Sequence, residues 1–301
     1  MEQEVRLARA WLSRTAGPGN PSLWRYVDQY GPVEALARLR AGAAPAEVAA
    51  GVESGVDPLF AAADLEAAEA GGQRLMAPED AEWPAESLRA VAAAAAAGDE
   101  LLVPPLALWL TGPARLDQVT GRAVGVVGAR AATGYGNQVA ADLGYRLAGA
   151  GCPVVSSGGY GIDAAALRGA LTGDGTPVAV QPCGLARRHP AGQDRLLDQI
   201  AARGLLVSAW PPATTPARRR FLLARRLTAA LSAATVVVEA GAHGSALAAA
   251  EYARMLARPM LAVPGPITSV MSAGPHQLLR DRQARLAATA QDVLVALGQP
   301  D

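Results

Sequence analysis

Short apolar runs alternate with helical spacing along most of the chain. Strand-like runs fall at residues 123–127, 153–155, 177–180, 205–210, 235–239 and 259–263. Between them, apolar residues recur at helical intervals up to about residue 150, and again over 192–202, 218–231 and 245–257. An earlier run at 106–110, stopped by Thr111-Gly-Pro113, adds a strand, and residues 285–289 and 291–297 add a last strand and helix. β-Branched runs alternating with helices predict βαβ units with right-handed crossovers, hence a doubly wound, mostly parallel α/β sheet.

The first 70 residues read differently. Val5, Leu7, Ala8, Trp11 and Leu12 share a helical face over 5–16, Asn20 is placed to cap a helix at 23–30, and Gly31-Pro32 opens another at 33–40. A short helix at 45–51 and a further one at 61–70 complete a small all-helical module, residues 1–70. Gly-Pro turns give it the texture of helix-hairpin-helix elements, which touch DNA backbones, and equally of interaction modules; a purely structural role is the simpler reading. Gly71-Gly72 then breaks the helix, and residues 71–104 form a connector holding a short strand at 74–77. The alanine run 92–97 within it reads as a helix or as a surface insertion. Residues 105–301 carry the main sheet, and no further domain is expected after Asp301.

In open parallel sheets ligands bind outside the carboxyl ends of the strands. The stretch 122–171 supplies two such ends in succession. Gly128, Arg130, Thr133 and Gly136 follow the first strand; Ser156, Ser157, Gly158, Gly159, Gly161 and Asp163 follow the second. Later ends hold Cys183-Gly184, Trp210-Pro-Pro212, the segment from Glu239 to Gly244-Ser245, and Pro264-Gly265. Small residues at these turns let a phosphate approach backbone amides and helix N-termini, so an anion-binding crevice is expected. Asp163 is placed to cap its helix, and Glu239 to orient loop amides or a ligand hydroxyl. The spacing is neither GxGxxG nor GxxxxGK[ST], which excludes a standard dinucleotide fingerprint and an ATPase loop.

Composition narrows the ligand. Net charge is +0, so no global basic field advertises nucleic acid. Every basic residue is arginine, however, and these cluster at Arg187-Arg188 and at Arg218, Arg219, Arg220, Arg225 and Arg226. Such a cluster binds phosphates bidentately or forms a solvated helix face. Two cysteines and three histidines show no metal-ligand spacing, and no nucleophile–base pair stands out, so neither a metal, a cofactor nor a catalytic residue is expected. No apolar segment approaches the roughly 20 residues of a membrane span. The acidic, amphipathic N-terminus lacks the layout of a signal peptide, and a soluble cytoplasmic protein is expected.

Several segments together resemble the DprA/Smf family of DNA-processing proteins. They include Pro105-Leu-Ala-Leu-Trp-Leu-Thr-Gly-Pro113, Val126-Val-Gly-Ala-Arg-Ala-Ala-Thr-Gly-Tyr-Gly136, Tyr160-Gly-Ile-Asp163, Arg220-Phe-Leu222, Val236-Val-Val-Glu-Ala240 and Ala262-Val-Pro-Gly-Pro266. The resemblance covers nearly the whole chain. It implies an extended Rossmann-like domain that binds single-stranded DNA at its strand ends, a homodimer, and a non-enzymatic mediator that loads RecA in natural transformation. On this resemblance Arg130 contacts a phosphate and Arg226 is the retained arginine of the phenylalanine-arginine segment.

Departures from the family pattern fall on the turns. Ala224-Arg225-Arg226 replaces an Arg-Asn-Arg triplet, Leu167 a His, His189-Pro190 a Tyr-Pro, and Ala209 a Glu. Gly244-Ser245 inverts a Ser-Gly pair, Ala249 replaces a Thr, and the C-terminal winged helix of many members has no counterpart here. The alternative is therefore a diverged paralogue that holds a nucleotide or small phosphorylated ligand in the same crevice, as phosphoribohydrolase-like enzymes or sensors do.

Overall fold

The computed structural model describes residues 1–53, 57 and 59–298. Residues 54–56 and 58 of the expected helical module, and 299–301 at the end of the expected main domain, lie outside the described residues. Five helices open the chain: α1 (Gln3–Ala16), α2 (Pro21–Tyr30), α3 (Pro32–Arg40), α4 (Ala46–Ala49) and α5 (Leu59–Ala70). Strand β1 (Gln73–Met76), helix α6 (Ala85–Ala96), strand β2 (Leu108–Thr111) and helix α7 (Leu116–Thr120) follow. The alternating part runs β3 (Val124–Val127), α8 (Gly134–Gly149), β4 (Val154–Ser156), α9 (Ile162–Thr172), β5 (Pro177–Gln181), α10 (Asp194–Arg203) and β6 (Leu205–Ser208). It continues with α11 (Arg218–Ala230), β7 (Ala234–Val237), α12 (Leu247–Met255), β8 (Met260–Ala262), α13 (Ala273–Arg280), β9 (Arg285–Leu286) and α14 (Ala290–Ala296).

The strands form one sheet in the order β1-β2-β6-β5-β4-β3-β7-β8-β9. From β6 to β9 every pairing is parallel, while β1 with β2 and β2 with β6 are antiparallel. The connector strand thus caps one edge of the main sheet, its register set by Gln73 opposite Thr111. Side chains alternate between two apolar layers, as the period of two requires. Val124, Val126, Val154, Leu206 and Trp109 face one layer with α8, α9 and α10, and Val155, Leu205, Val207, Leu108 and Leu110 face the other with α6, α7 and α11. Leu12, Leu23, Val27 and Ala68 of the opening helices join the first layer.

The capping expectations divide. Asn20 accepts from the amide of Leu23, and its own amide group donates to the Gly51 carbonyl, which fastens α2 to the turn after α4. The alanine run lies on helix α6, with Leu88, Val91 and Ala95 buried. Helix α7, five residues long, has too short an apolar pattern to be read from sequence. Chain order leads from β3 to β4 on one side, while β7 leads to β8 on the other. The sheet therefore has its topological switch point between the adjacent strands β3 and β7.

Candidate nucleic-acid interface

The turns after β3 and β4 are held together by a buried carboxylate. Asp163, 2% exposed, accepts from the Gly128 amide at 3.2 Å and from the Ser157 hydroxyl. It does not cap α9: the N-cap is Gly161, and no side chain caps that helix. As the second helical residue, Asp163 points back to the preceding strand end, where a buried amide needs an acceptor. Gly161 sits at φ +75°, and a side chain there would strike the Ala129 and Arg130 carbonyls. The Ile162 amide donates to the Ala129 carbonyl.

A second carboxylate acts likewise across the switch point. Glu239, 1% exposed, accepts from the Thr133 amide at 2.9 Å and the Thr133 hydroxyl at 2.6 Å. Thr133 in turn caps α8, accepting from the Gly136 amide at 3.1 Å. Of the two roles expected for Glu239, orienting the loop is the one its contacts perform. Two amides of the anion cradle expected at these turns, those of Gly128 and Thr133, are thus engaged by the protein's own carboxylates, and other side chains face the exterior.

Those side chains converge on a cleft of about 220 Å³ at the strand ends. Arg130, Arg225, Tyr160, His189, Phe221 and Ser245 face it, and Asp163 is the one carboxylate in its lining. Arg130 lies over the Tyr160 ring, 5.0 Å from its centroid. Phe221, 44% exposed on α11, meets His189 edge-on at 5.5 Å. Arg225 comes within 3.9 Å of Asp163, yet its Nη1 is buried and has no hydrogen-bond acceptor. Burial, reinforced by the Arg130 charge, lowers the pKa of His189, so its ring is neutral at pH 7. Burial pushes the Cys183 thiol up to about 11, which leaves it an inert thiol at neutral pH.

Placement sorts the remaining expected site residues. Ser157, Gly159 and Ser245 line the cleft beside Arg130, Asp163 and Arg225. Gly128, Thr133, Gly136, Ser156, Gly158 and Gly161 do not line it; Gly161 lines a neighbouring groove, and Ser156 donates to the Val126 carbonyl at 2.7 Å. Gly184 packs against the Pro211 and Pro212 carbonyls, and Arg220 donates to the Thr215 carbonyl. The Gly244 amide closes a turn onto Gly241. Arg226 is not brought to this cleft: it lies 5.8 Å from the Tyr252 ring and lines a small apolar recess with Leu88 and Leu223. Of the departures from the family pattern, His189, Ala224, Arg225 and Ser245 line the cleft, whereas Leu167, Ala209 and Ala249 are buried and do not. Tyr160, Phe221 and Pro190, which line the cleft, were not among the residues expected there. Among the described residues no group of three or more His, Cys, Asp or Glu could hold a metal ion, and no helix is long and apolar enough to cross a membrane.

A doubly wound sheet with an arginine- and aromatic-lined cleft at its strand ends defines the class: an extended Rossmann-like α/β protein. The chain belongs to the DNA recombination-mediator protein A family, whose model matches residues 74–298. It is 47% identical over 295 residues to the putative DNA processing protein DprA of Mycobacterium tuberculosis, covering 97% of this chain and 75% of that one. The X-ray structure of DNA processing protein A from Streptococcus pneumoniae has the same fold, with a TM-score of 0.78 at 24% identity over 98% of each chain. DNA processing protein A from Helicobacter pylori, whose structure was described for its single-stranded DNA binding mode, gives 0.63 at 25% identity over 74% of this chain and 95% of that one.

Proposed function

We propose that this chain binds single-stranded DNA in the strand-end cleft, with Arg130 and Arg225 on backbone phosphates and Tyr160 and Phe221 stacking on bases. The observation that carries the reading is Arg225. Its Nη1 is buried at the cleft without an acceptor, and the adjacent Asp163 oxygens are already taken by Gly128 and Ser157. A buried unsatisfied donor on a charged group is costly, and a phosphate oxygen removes that cost. Aromatic faces beside arginines are the usual means of holding single strands without sequence preference. The family's name and the Helicobacter relative support DNA over a small ligand.

On the same reading the chain acts as a non-enzymatic homodimeric mediator that loads RecA onto incoming DNA in the cytoplasm. Its helical module (1–70) and connector (71–104) serve the DNA-binding domain (105–301). Fluorescence anisotropy with a labelled oligothymidylate tests the binding step. Native protein should bind at low salt, and Arg225→Ala should weaken binding at least tenfold. Stabilisation by a mononucleotide, with no oligonucleotide binding, would favour the small-ligand alternative instead.

A further inference from the structure

Arg130 and Tyr160 line the cleft. The same two residues also line a second groove of about 520 Å³, together with Ala141 of α8 and Ala165 of α9. No carboxylate lines this groove, although the chain carries as many acidic as basic residues. Arg168 lines it too, an exposed residue whose guanidinium donates to the Oε1 of Gln193 at 2.7 Å. Gln193 is itself only 4% exposed, so Arg168 has a rigid anchor rather than a free arm. Among the described residues no carboxylate lies within ion-pairing distance of Arg168, in contrast to Arg203 beyond it, which pairs with Asp174 at 2.6 Å. Asn137 adds a side-chain amide to the lining.

We propose that a strand seated in the cleft passes over the Tyr160 ring into this groove, where Arg168 holds a backbone phosphate and Asn137 a sugar or phosphate oxygen. Apart from Tyr160 the groove has no aromatic surface, so it takes the sugar-phosphate backbone and not a stacked base. The shared Arg130–Tyr160 lining makes the two spaces consecutive, which fits successive nucleotides of one polymer better than two separate small ligands. The inference rests on the single-stranded DNA reading above.

The test compares oligothymidylates of about four and about fifteen nucleotides, a span within which single-strand sites ordinarily saturate. Native protein should bind the longer strand about tenfold more tightly or better. Arg168→Gln should remove most of that gain, lower the salt slope for the longer strand by about 0.7, and leave the shorter strand unaffected. Arg168→Lys should restore much of the gain, and an unchanged melting temperature should accompany both variants. Equal weakening of both lengths by Arg168→Gln, or no effect on either, overturns the second subsite while the cleft reading stands. If neither length binds native protein, the single-stranded DNA reading falls and the subsite with it.

Discussion

At the residue scale the site is a contest over hydrogen-bond acceptors. Asp163 and Glu239 satisfy the turn amides and hydroxyls, and what is left over is the guanidinium of Arg225. Removing Arg225 should therefore weaken DNA binding while the fold persists, since inside the protein it loses only the long 3.9 Å contact with Asp163, which keeps its Gly128 and Ser157 donors. Tyr160→Ala and Phe221→Ala should each reduce affinity by about 1–3 kcal/mol if each ring stacks on one base, measurable by titration of a labelled strand. His189 supplies a pH dependence. Its lowered pKa means that protonation is penalised in the folded protein, so stability falls slightly as pH drops below about 6.5, the unfolded value. Protonation also adds a positive charge beside the DNA phosphates, which offset that penalty. Affinity should thus rise as pH falls below the ordinary histidine value, and His189→Gln should flatten the profile.

At the element scale the cleft depends on how two strand-end loops are tied to each other. Glu239 follows β7, yet it holds the loop after β3, and a side chain at position 136 would collide with it. Glu239→Ala leaves the Thr133 amide and hydroxyl without acceptors, at a cost of about 2–4 kcal/mol. Melting should drop by about 5–10 °C in calorimetry, and DNA affinity should fall with it although Glu239 does not line the cleft. Much of this layer was legible in sequence, because β-branched runs ending in glycine mark strand ends whatever their order in the sheet. The Asn20 cap was legible for the same local reason. What lay beyond reach was decided by geometry between distant segments. Asp163 reads as a cap, since nothing local reveals the Gly128 amide 35 positions away. Arg225 and Arg226 are neighbours in sequence, but about 100° of helical rotation separates the cleft from the Tyr252 recess. Tyr160, His189 and Phe221 come from separate segments, and no spacing announces that they meet.

On the scale of the whole molecule, the opening helices are bound into the same core as the sheet. An ion pair from Arg9 to Glu79 at 2.7 Å fastens α1 to the connector, and one from Arg14 to Asp64 at 2.6 Å, with Asp64 buried, ties α1 to α5 within the helical module. Leu12 and Leu23 are fully buried in the layer shared with α8 and α9. Arg14→Ala should therefore destabilise the entire chain by about 2–3 kcal/mol, by stranding a buried carboxylate, and thermal unfolding should remain a single transition. Net charge of +0 bears on function at this scale as well. Without a long-range basic field, DNA binding rests on the few phosphates that local arginines reach, and its salt dependence counts them. The most direct measurement is the slope of log affinity against log salt for a single-stranded oligonucleotide. The account predicts binding at low salt with a slope of about −1.4 or steeper, reduced in magnitude by about 0.7 in Arg130→Ala. No binding at low salt, or a slope that Arg130→Ala leaves unchanged, would contradict it.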